Sequence, residues 1–158
     1  MVPLLAYLRA LAVDQAPHTC LRALDLSRDE LGRAGEALAA RALRRAGWRL
    51  AGRRVRTPMA EIDLVALGRG ILVCVEVKTS RLTRDPGLGP ARWRPGDRLS
   101  GQTLARQRGA SRWLAARAGL TGGRVDLIEV EVWGQPARYR LQHTPDLVAP
   151  LANEKSGL

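Results

Sequence analysis

Phenylalanine is absent from this 158-residue chain, and aromatic residues together make up 4% of it. Its core therefore has to come from Leu, Val and Ala, and the length suits one such core. Cysteine is nearly absent: Cys20 and Cys74 are too few for a disulfide framework, and Cys74 lies inside an apolar run. A reducing compartment, and so a cytoplasmic location, is the simple expectation. His18 and His143 are the only histidines and lie far apart in sequence, which gives a zinc site or histidine-based catalysis little support. No serine sits in a nucleophile motif. Long hydrophobic runs are missing as well. The run from Val2 to Leu8 is short, is interrupted by Arg9 and has no basic segment before it. It fits a signal peptide poorly and cannot cross a bilayer, so no membrane partner is expected.

The scarcest charged residue is lysine. The chain has 26 basic residues, of which only Lys78 and Lys155 are lysines, and its net charge is +11. Such an excess suits a polyanionic partner, with nucleic acid the natural candidate through phosphate neutralisation and counterion release. DNA is preferred over RNA, and a homodimer is compatible with this reading. Where positive charge alone is needed this chain uses Arg, so one internal lysine suggests a need that Arg cannot meet. An ammonium is compact, approaches a water molecule closely and shifts its pKa when buried; a guanidinium is broad and stays protonated. The plainer alternative is a strand-end lysine reaching solvent beside Glu61 or Glu76.

Lys78 ends one of two apolar segments that carry acids, Glu61-Ile62-Asp63-Leu64-Val65 and Val73-Cys74-Val75-Glu76-Val77-Lys78. A carboxylate buried in apolar surroundings costs several kcal/mol unless a cation, a hydrogen-bond network or a metal ion compensates it. Side chains alternate across a strand, so Glu76 and Lys78 share one face and Val73, Val75 and Val77 the other. A two-residue hairpin at Arg69-Gly70 pairs Gly68 with Ile71. Carried along the strands, that register sets Asp63 opposite Glu76 and Glu61 opposite Lys78. Directly paired Cβ atoms lie roughly 4.5–5.5 Å apart, near enough for one hard cation to bridge two carboxylates. Arg is a poor type I′ residue, so a longer loop of the same parity is equally acceptable. A three-residue loop would turn Asp63 to the other face unless a bulge restored it. Two carboxylates and an ammonium are the equipment of a metal-dependent phosphodiesterase.

These motifs resemble the PD-(D/E)xK nuclease superfamily and, more closely, the YraN-like family of uncharacterised, endonuclease-like bacterial proteins. That family's pattern reads Gly-x-x-Gly-Glu on a first helix, then Gly-Glu-Ile-Asp-Leu-Ile, then Val-Phe-Val-Glu-Val-Lys-Thr-Arg. The counterparts are Gly32-Arg33-Ala34-Gly35-Glu36, Ala60-Glu61-Ile62-Asp63-Leu64-Val65, and Val73-Cys74-Val75-Glu76-Val77-Lys78-Thr79-Ser80. Arg124-Val125-Asp126-Leu127-Ile128 looks like a later strand of the family. Order and spacing hold over residues 28–145. Ala60 stands where the family has glycine and Ser80 where it has arginine, with Arg81 next to it. The family's second-helix lysine has no counterpart; Gln102 and Arg106 are nearest.

The resemblance implies an α/β restriction-endonuclease-like core, ordered helix-strand-strand-strand-helix-strand, with a mixed sheet flanked by helices. It also implies an endonuclease hydrolysing phosphodiester bonds with Mg²⁺ or Mn²⁺, branched DNA being one candidate substrate. Asp63 and Glu76, helped by the Val77 carbonyl, would hold the cation. Lys78 would orient or deprotonate the attacking water, with Glu36 and Glu61 as accessory groups. The rival reading is a nucleic-acid-binding module on a nuclease fold with weak or no catalysis.

Residues 1–26 read as an N-terminal extension, 27–145 as the nuclease-like domain and 146–158 as a tail. Ser27 and Glu30 form a capping box that opens a helix to Ala46, with Gly47 as its stop. Leu31, Ala34, Leu38, Ala42 and Leu43 make its inner stripe, and close approach of the sheet or a ligand would explain Gly32 and Gly35. Glu36 is either a third acid leaning toward the metal or an edge carboxylate paired with one of the arginines. Strands are expected near residues 48–56, 124–132 and 137–142, and a helix near 100–118. The segment 79–99 is either a flexible connection or a clamp. In the clamp reading Arg81, Arg84, Arg92 and Arg94 meet phosphates and Trp93 stacks on a base. Asp126, among apolar neighbours, reads as structural.

Overall fold

The computed structural model describes residues 4–23, 25–87 and 99–147, apart from the Tyr7 side chain. Arg92, Trp93, Arg94 and most of the expected tail fall outside the described residues. The elements are α1 (Leu4–Gln15), α2 (Pro17–Ala23), α3 (Arg28–Arg45), β1 (Arg49–Arg56), β2 (Glu61–Gly68), β3 (Ile71–Arg81), α4 (Gly101–Arg117), β4 (Gly123–Trp133) and β5 (Arg138–Thr144). The strands form one sheet in the order β1-β2-β3-β4-β5. Only β3 and β4 run parallel, and the crossover between them is α4. This is the expected mixed α/β sheet flanked by helices, consistent with a restriction-endonuclease-like fold.

Local chemistry sets the element ends. The Ser27 hydroxyl accepts from Glu30 N at 3.3 Å and the Glu30 carboxylate accepts from Ser27 N at 2.9 Å, which closes the capping box of α3. The helix ends at Ala46, followed by Gly47 with φ of 86°. Ser100 caps α4 through Thr103 N at 3.1 Å. The β2–β3 turn is the tight one: Gly68 pairs with Ile71, and Arg69 and Gly70 take φ of 53° and 76°. Arg69 thus accepts the left-handed conformation that a type I′ turn demands.

The sheet is covered on both sides. Ala34, Leu38 and Leu43 of α3 pack with Leu64, Val73, Val75, Ile128 and Val130. Val13, Cys20, Leu21 and Leu26 from α1, α2 and the following turn belong to that same cluster. Leu104, Ala110 and Ala115 of α4 pack on Ile62, Val65, Leu72, Cys74 and Leu127. The sequence pattern puts Leu104, Ser111, Leu114 and Ala118 on one side of α4. The structure buries Leu104 and Ser111 with Gln107, Ala110 and Ala115, leaves Leu114 half-buried and exposes Ala118. The helix is turned so that polar Gln107 faces inward, where Glu76 receives its amide.

The two helical glycines have different surroundings. A Cβ on Gly35 would stand 1.9 Å from Thr79 Oγ1 and 3.0 and 3.1 Å from Thr79 Cβ and Cγ2, so no Thr79 rotamer clears it. A Cβ on Gly32 meets nothing within 4 Å. Gly32→Ala should therefore leave stability unchanged or raise it by up to about 1 kcal/mol. Gly35→Ala should lower it by about 1–3 kcal/mol through overpacking. Urea unfolding of both variants checks this; equal midpoints would remove the close α3–β3 approach.

Candidate active site

The site lies where β2 and β3 part. Their ladder pairs Gly68 with Ile71 and runs to Leu64 with Val75. Hydrogen-bonded pairs alternate in an antiparallel ladder, so the next such pair would be Ile62 and Val77. The Asp63 carboxylate takes the Val77 N–H instead, Oδ2 to N at 2.8 Å. Because the N–H and C=O of one strand residue point the same way, the Val77 carbonyl faces the same gap. Beyond Leu64, β2 stays with β1 while β3 stays with β4.

Two irregularities meet at this fork. Leu64 packs on the α3 side and Ile62 on the α4 side, two residues apart, so alternation slips at Asp63. On β1, Arg53 pairs with Leu64 and Val55 with Ile62, which sets Arg54 across from Asp63. Arg54 has φ of 48°, a left-handed residue in mid-strand. The left-handed Arg54 in β1 and the slip in β2 both fall where β2 leaves β3.

Glu76 and Lys78 share a face as expected and are in direct contact, Lys78 Nζ on Glu76 Oε1. Gln107 Nε2 donates to the other oxygen, Oε2. Glu76 is 90% shielded at its side chain, while Lys78 remains 37% exposed. Burial first, then the Glu76 charge, pushes the Asp63 carboxyl up to about 6, with Glu36 adding to the shift and the Val77 N–H and Lys78 opposing it. Asp63 therefore feels all three other catalytic candidates. Glu36 forms a fork with Arg54, 3.1 Å to Nε and 2.8 Å to Nη2. Of its two expected roles, the structure shows the paired carboxylate. Glu61 turns to Arg56 at 3.0 Å on the exposed end of β2. Arg81 and Arg84 are exposed at and beyond the end of β3.

The donors suit a hard divalent cation. Among the described residues no three or more His, Cys, Asp or Glu side chains gather as a metal cluster. Mg²⁺, however, is held by one or two carboxylates and keeps several waters. Asp63 and Glu76 supply two carboxylates, and the Val77 carbonyl faces the same gap. The Glu76 charge raises the proton affinity of Asp63, a repulsion that a cation between them would relieve.

Three nearby residues escape the sequence reading. Gln107 is one neutral position on a helix, Arg54 one arginine among many, and Glu129 an acid within an apolar strand. Glu129 is buried and in register with Lys78, so it projects to the same face. The left-handed backbone of Arg54 has no sequence signal. Asp126 is structural, as read: it is fully buried and accepts from Arg124 at 2.8 and 3.1 Å and from Asp146 N at 2.9 Å. His143 Nε2 lies 2.8 Å from its Oδ2. Burial alone would raise the Asp126 carboxyl, but His143 and Arg124 outweigh it and hold it below the usual range. Burial pushes the Cys74 thiol up to about 11, which leaves it inert.

The class is thus an α/β protein with an acid–lysine site at a strand fork. Residues 35–130 match the Uncharacterised protein family UPF0102. A UPF0102 protein of Syntrophotalea carbinolica is 51% identical over 51 residues, 32% of this chain and 42% of that protein. One from Caulobacter sp. (strain K31) is 38% identical over 117 residues, 73% of this chain and 78% of the relative. One from Roseiflexus castenholzii is 35% identical over 118 residues, 75% and 92% of the two chains. The chain belongs to the UPF0102 family. Among the described residues no helix is long and apolar enough to cross a membrane.

The raised Asp63 carboxyl has a consequence for stability. Between about pH 4 and pH 6 the folded group keeps a proton that the unfolded group has lost. The native state then binds more protons, so stability falls as pH rises through that window, by up to about 3 kcal/mol from this group. Asp63→Asn keeps an acceptor for Val77 N–H and removes the charge. In EDTA it should melt above the parent at about pH 8, with the difference gone near pH 4. A variant that melts lower at about pH 8 contradicts the electrostatic assignment.

Proposed function

We propose that this protein is a metal-dependent nuclease of the PD-(D/E)xK type that hydrolyses phosphodiester bonds in nucleic acid, DNA in preference to RNA. The observation that carries the reading is the Asp63 carboxylate on the Val77 N–H, one residue from Glu76, with Lys78 in contact with Glu76. Asp63, Glu76 and the Val77 carbonyl would hold Mg²⁺ or Mn²⁺. Such a cation, when bound, lowers the pKa of a water and stabilises charge on the phosphate. Lys78, in contact with Glu76, would orient that water or take its proton. Gln107 holds the far oxygen of Glu76 and fixes the carboxylate plane. The excess of arginine draws the polyanion in and makes binding salt-dependent.

A second reading has its own observation. Glu76 is engaged by Lys78 and Gln107, and Glu36 by Arg54, so these acids are satisfied within the chain. That suits a nucleic-acid-binding module with weak or no catalysis. Cleavage of linear duplex, single-stranded and branched DNA with Mg²⁺ or Mn²⁺ separates the two. A nuclease should cut at least one substrate. Asp63→Asn should cut about 10³-fold more slowly or worse while binding as well or better, since one negative charge near the phosphate is gone. Lys78→Arg should lose about 10²-fold or more, because a broad, non-titrating guanidinium misplaces the water. Tight binding with no metal-dependent cleavage on any substrate favours the binding module. Parental rates in Lys78→Arg would reduce Lys78 to a source of charge.

A further inference from the structure

Arg54 is the one described residue of β1 with φ in the left-handed region, at 48°. Apart from Gly, that region favours Asn and Asp, whose short side chains tolerate it. Backbone strain of this kind persists where the surroundings over-determine it and gathers at working sites. Here the surroundings are specific. Arg54 stands across the ladder from Asp63, and its Nε–Nη2 edge is clamped by the two oxygens of Glu36. Glu36 is itself 9% exposed and anchored on α3, so the guanidinium is held in one orientation. A guanidinium has more donors than one carboxylate can take. With Nε and Nη2 engaged, its Nη1–Nη2 edge is turned away from Glu36, and the side chain stays 45% exposed.

That exposed arginine lines a cleft of about 480 Å³, whose walls include Arg28, Asp29, Arg33, Glu36, Val77 and Thr79, three arginines against two acids once Arg54 is counted. The cleft lies beside the fork, because Val77 donates to Asp63. Gly32 borders open space in this wall, since a Cβ there would meet no atom within 4 Å. Arg28 and Arg33 add positive charge to it.

We propose that this cleft is a phosphate subsite, in which Arg54, braced by Glu36, receives the phosphodiester group next to the one at Asp63. The planar edge of a guanidinium matches two phosphate oxygens, and a lysine does not reproduce that fork. Glu36 acts through Arg54 as a positioning residue and does not touch the cation. The inference rests on the nucleic-acid reading of the same site, and not on catalytic turnover.

The test uses the full chain and a fluorescein-labelled DNA duplex in EDTA, with anisotropy titrations at several salt concentrations. Arg54→Asn suits the left-handed backbone but leaves the buried Glu36 carboxylate without its cation, so its melting temperature should fall and the titrations are run well below it. Its affinity should fall about tenfold or more, and the slope of log K against log salt should shrink by about 0.9, one duplex phosphate. Arg54→Lys should restore the slope but not the full affinity. Glu36→Gln should weaken DNA binding while leaving calorimetric Mn²⁺ binding intact. Parental affinity and slope in Arg54→Asn overturn the subsite while leaving the nuclease reading in place. Loss of Mn²⁺ binding in Glu36→Gln makes Glu36 a metal ligand and overturns its bracing role. A parental protein that binds no DNA overturns subsite and nucleic-acid reading together.

Discussion

The site depends on one substitution in the hydrogen-bond ladder: the Val77 N–H is given to the Asp63 side chain and not to the β2 backbone. An antiparallel pair that kept its register would fill the space between Asp63 and Val77 with main chain. By taking the donor with a carboxylate, the fold satisfies Val77, opens a gap and lines it with oxygen. The cost is a partly buried acid with another acid beside it, and it appears as the raised Asp63 carboxyl. The helices then fit the fork. α3 brings Glu36 to one side through the close contact of Gly35 with Thr79, and α4 brings Gln107 to Glu76 on the other.

The acids divide the work unequally. Glu76 is held from two directions, by an ammonium and an amide, so its carboxylate plane is fixed before any ligand arrives. Asp63 has one hydrogen bond and an unfavourable field, so it gains most from a cation. Glu36 sits outside this pair with its charge matched by Arg54. A held acid beside one in an unfavourable field is the arrangement that the proposed divalent cation would meet, and in a nuclease such preorganisation would be a source of catalytic advantage.

Much of this was legible in the sequence, for physical reasons. The hairpin register followed from a two-residue turn and alternation as far as Leu64 with Val75. The expected pairings of Asp63 with Glu76 and Glu61 with Lys78 do not form, because β2 leaves β3 there and Glu61 pairs with Arg56. The capping box of α3 and the serine cap of α4 are local chemistry and need no tertiary knowledge. Lys78 stood out because the chain otherwise spends arginine on charge. The partner of Glu36 was not legible, because arginines abound and the choice of Arg54 is made by a kink in β1. Gln107 was hidden because the inward face of α4 is decided by docking on the sheet and not by its own weak pattern. Whether a helix in residues 1–26 docks or drifts was left open by the sequence: Leu4, Leu5, Leu8 and Leu11 remain exposed while Val13, Cys20 and Leu21 are buried.

The most direct test of the central claim, that Asp63 and Glu76 form a hard-cation site at the strand fork, is calorimetric titration of Mn²⁺ into the full chain near pH 6. Repeating it in buffers of different ionisation heat counts the protons released. With its carboxyl near 6, Asp63 is about half protonated there, and cation binding must expel that proton. The account predicts binding with release of up to about half a proton near pH 6, almost none near pH 8, and loss of both signals in Asp63→Asn. Mn²⁺ binding that is unchanged in Asp63→Asn, or no binding by the parent protein, would contradict it.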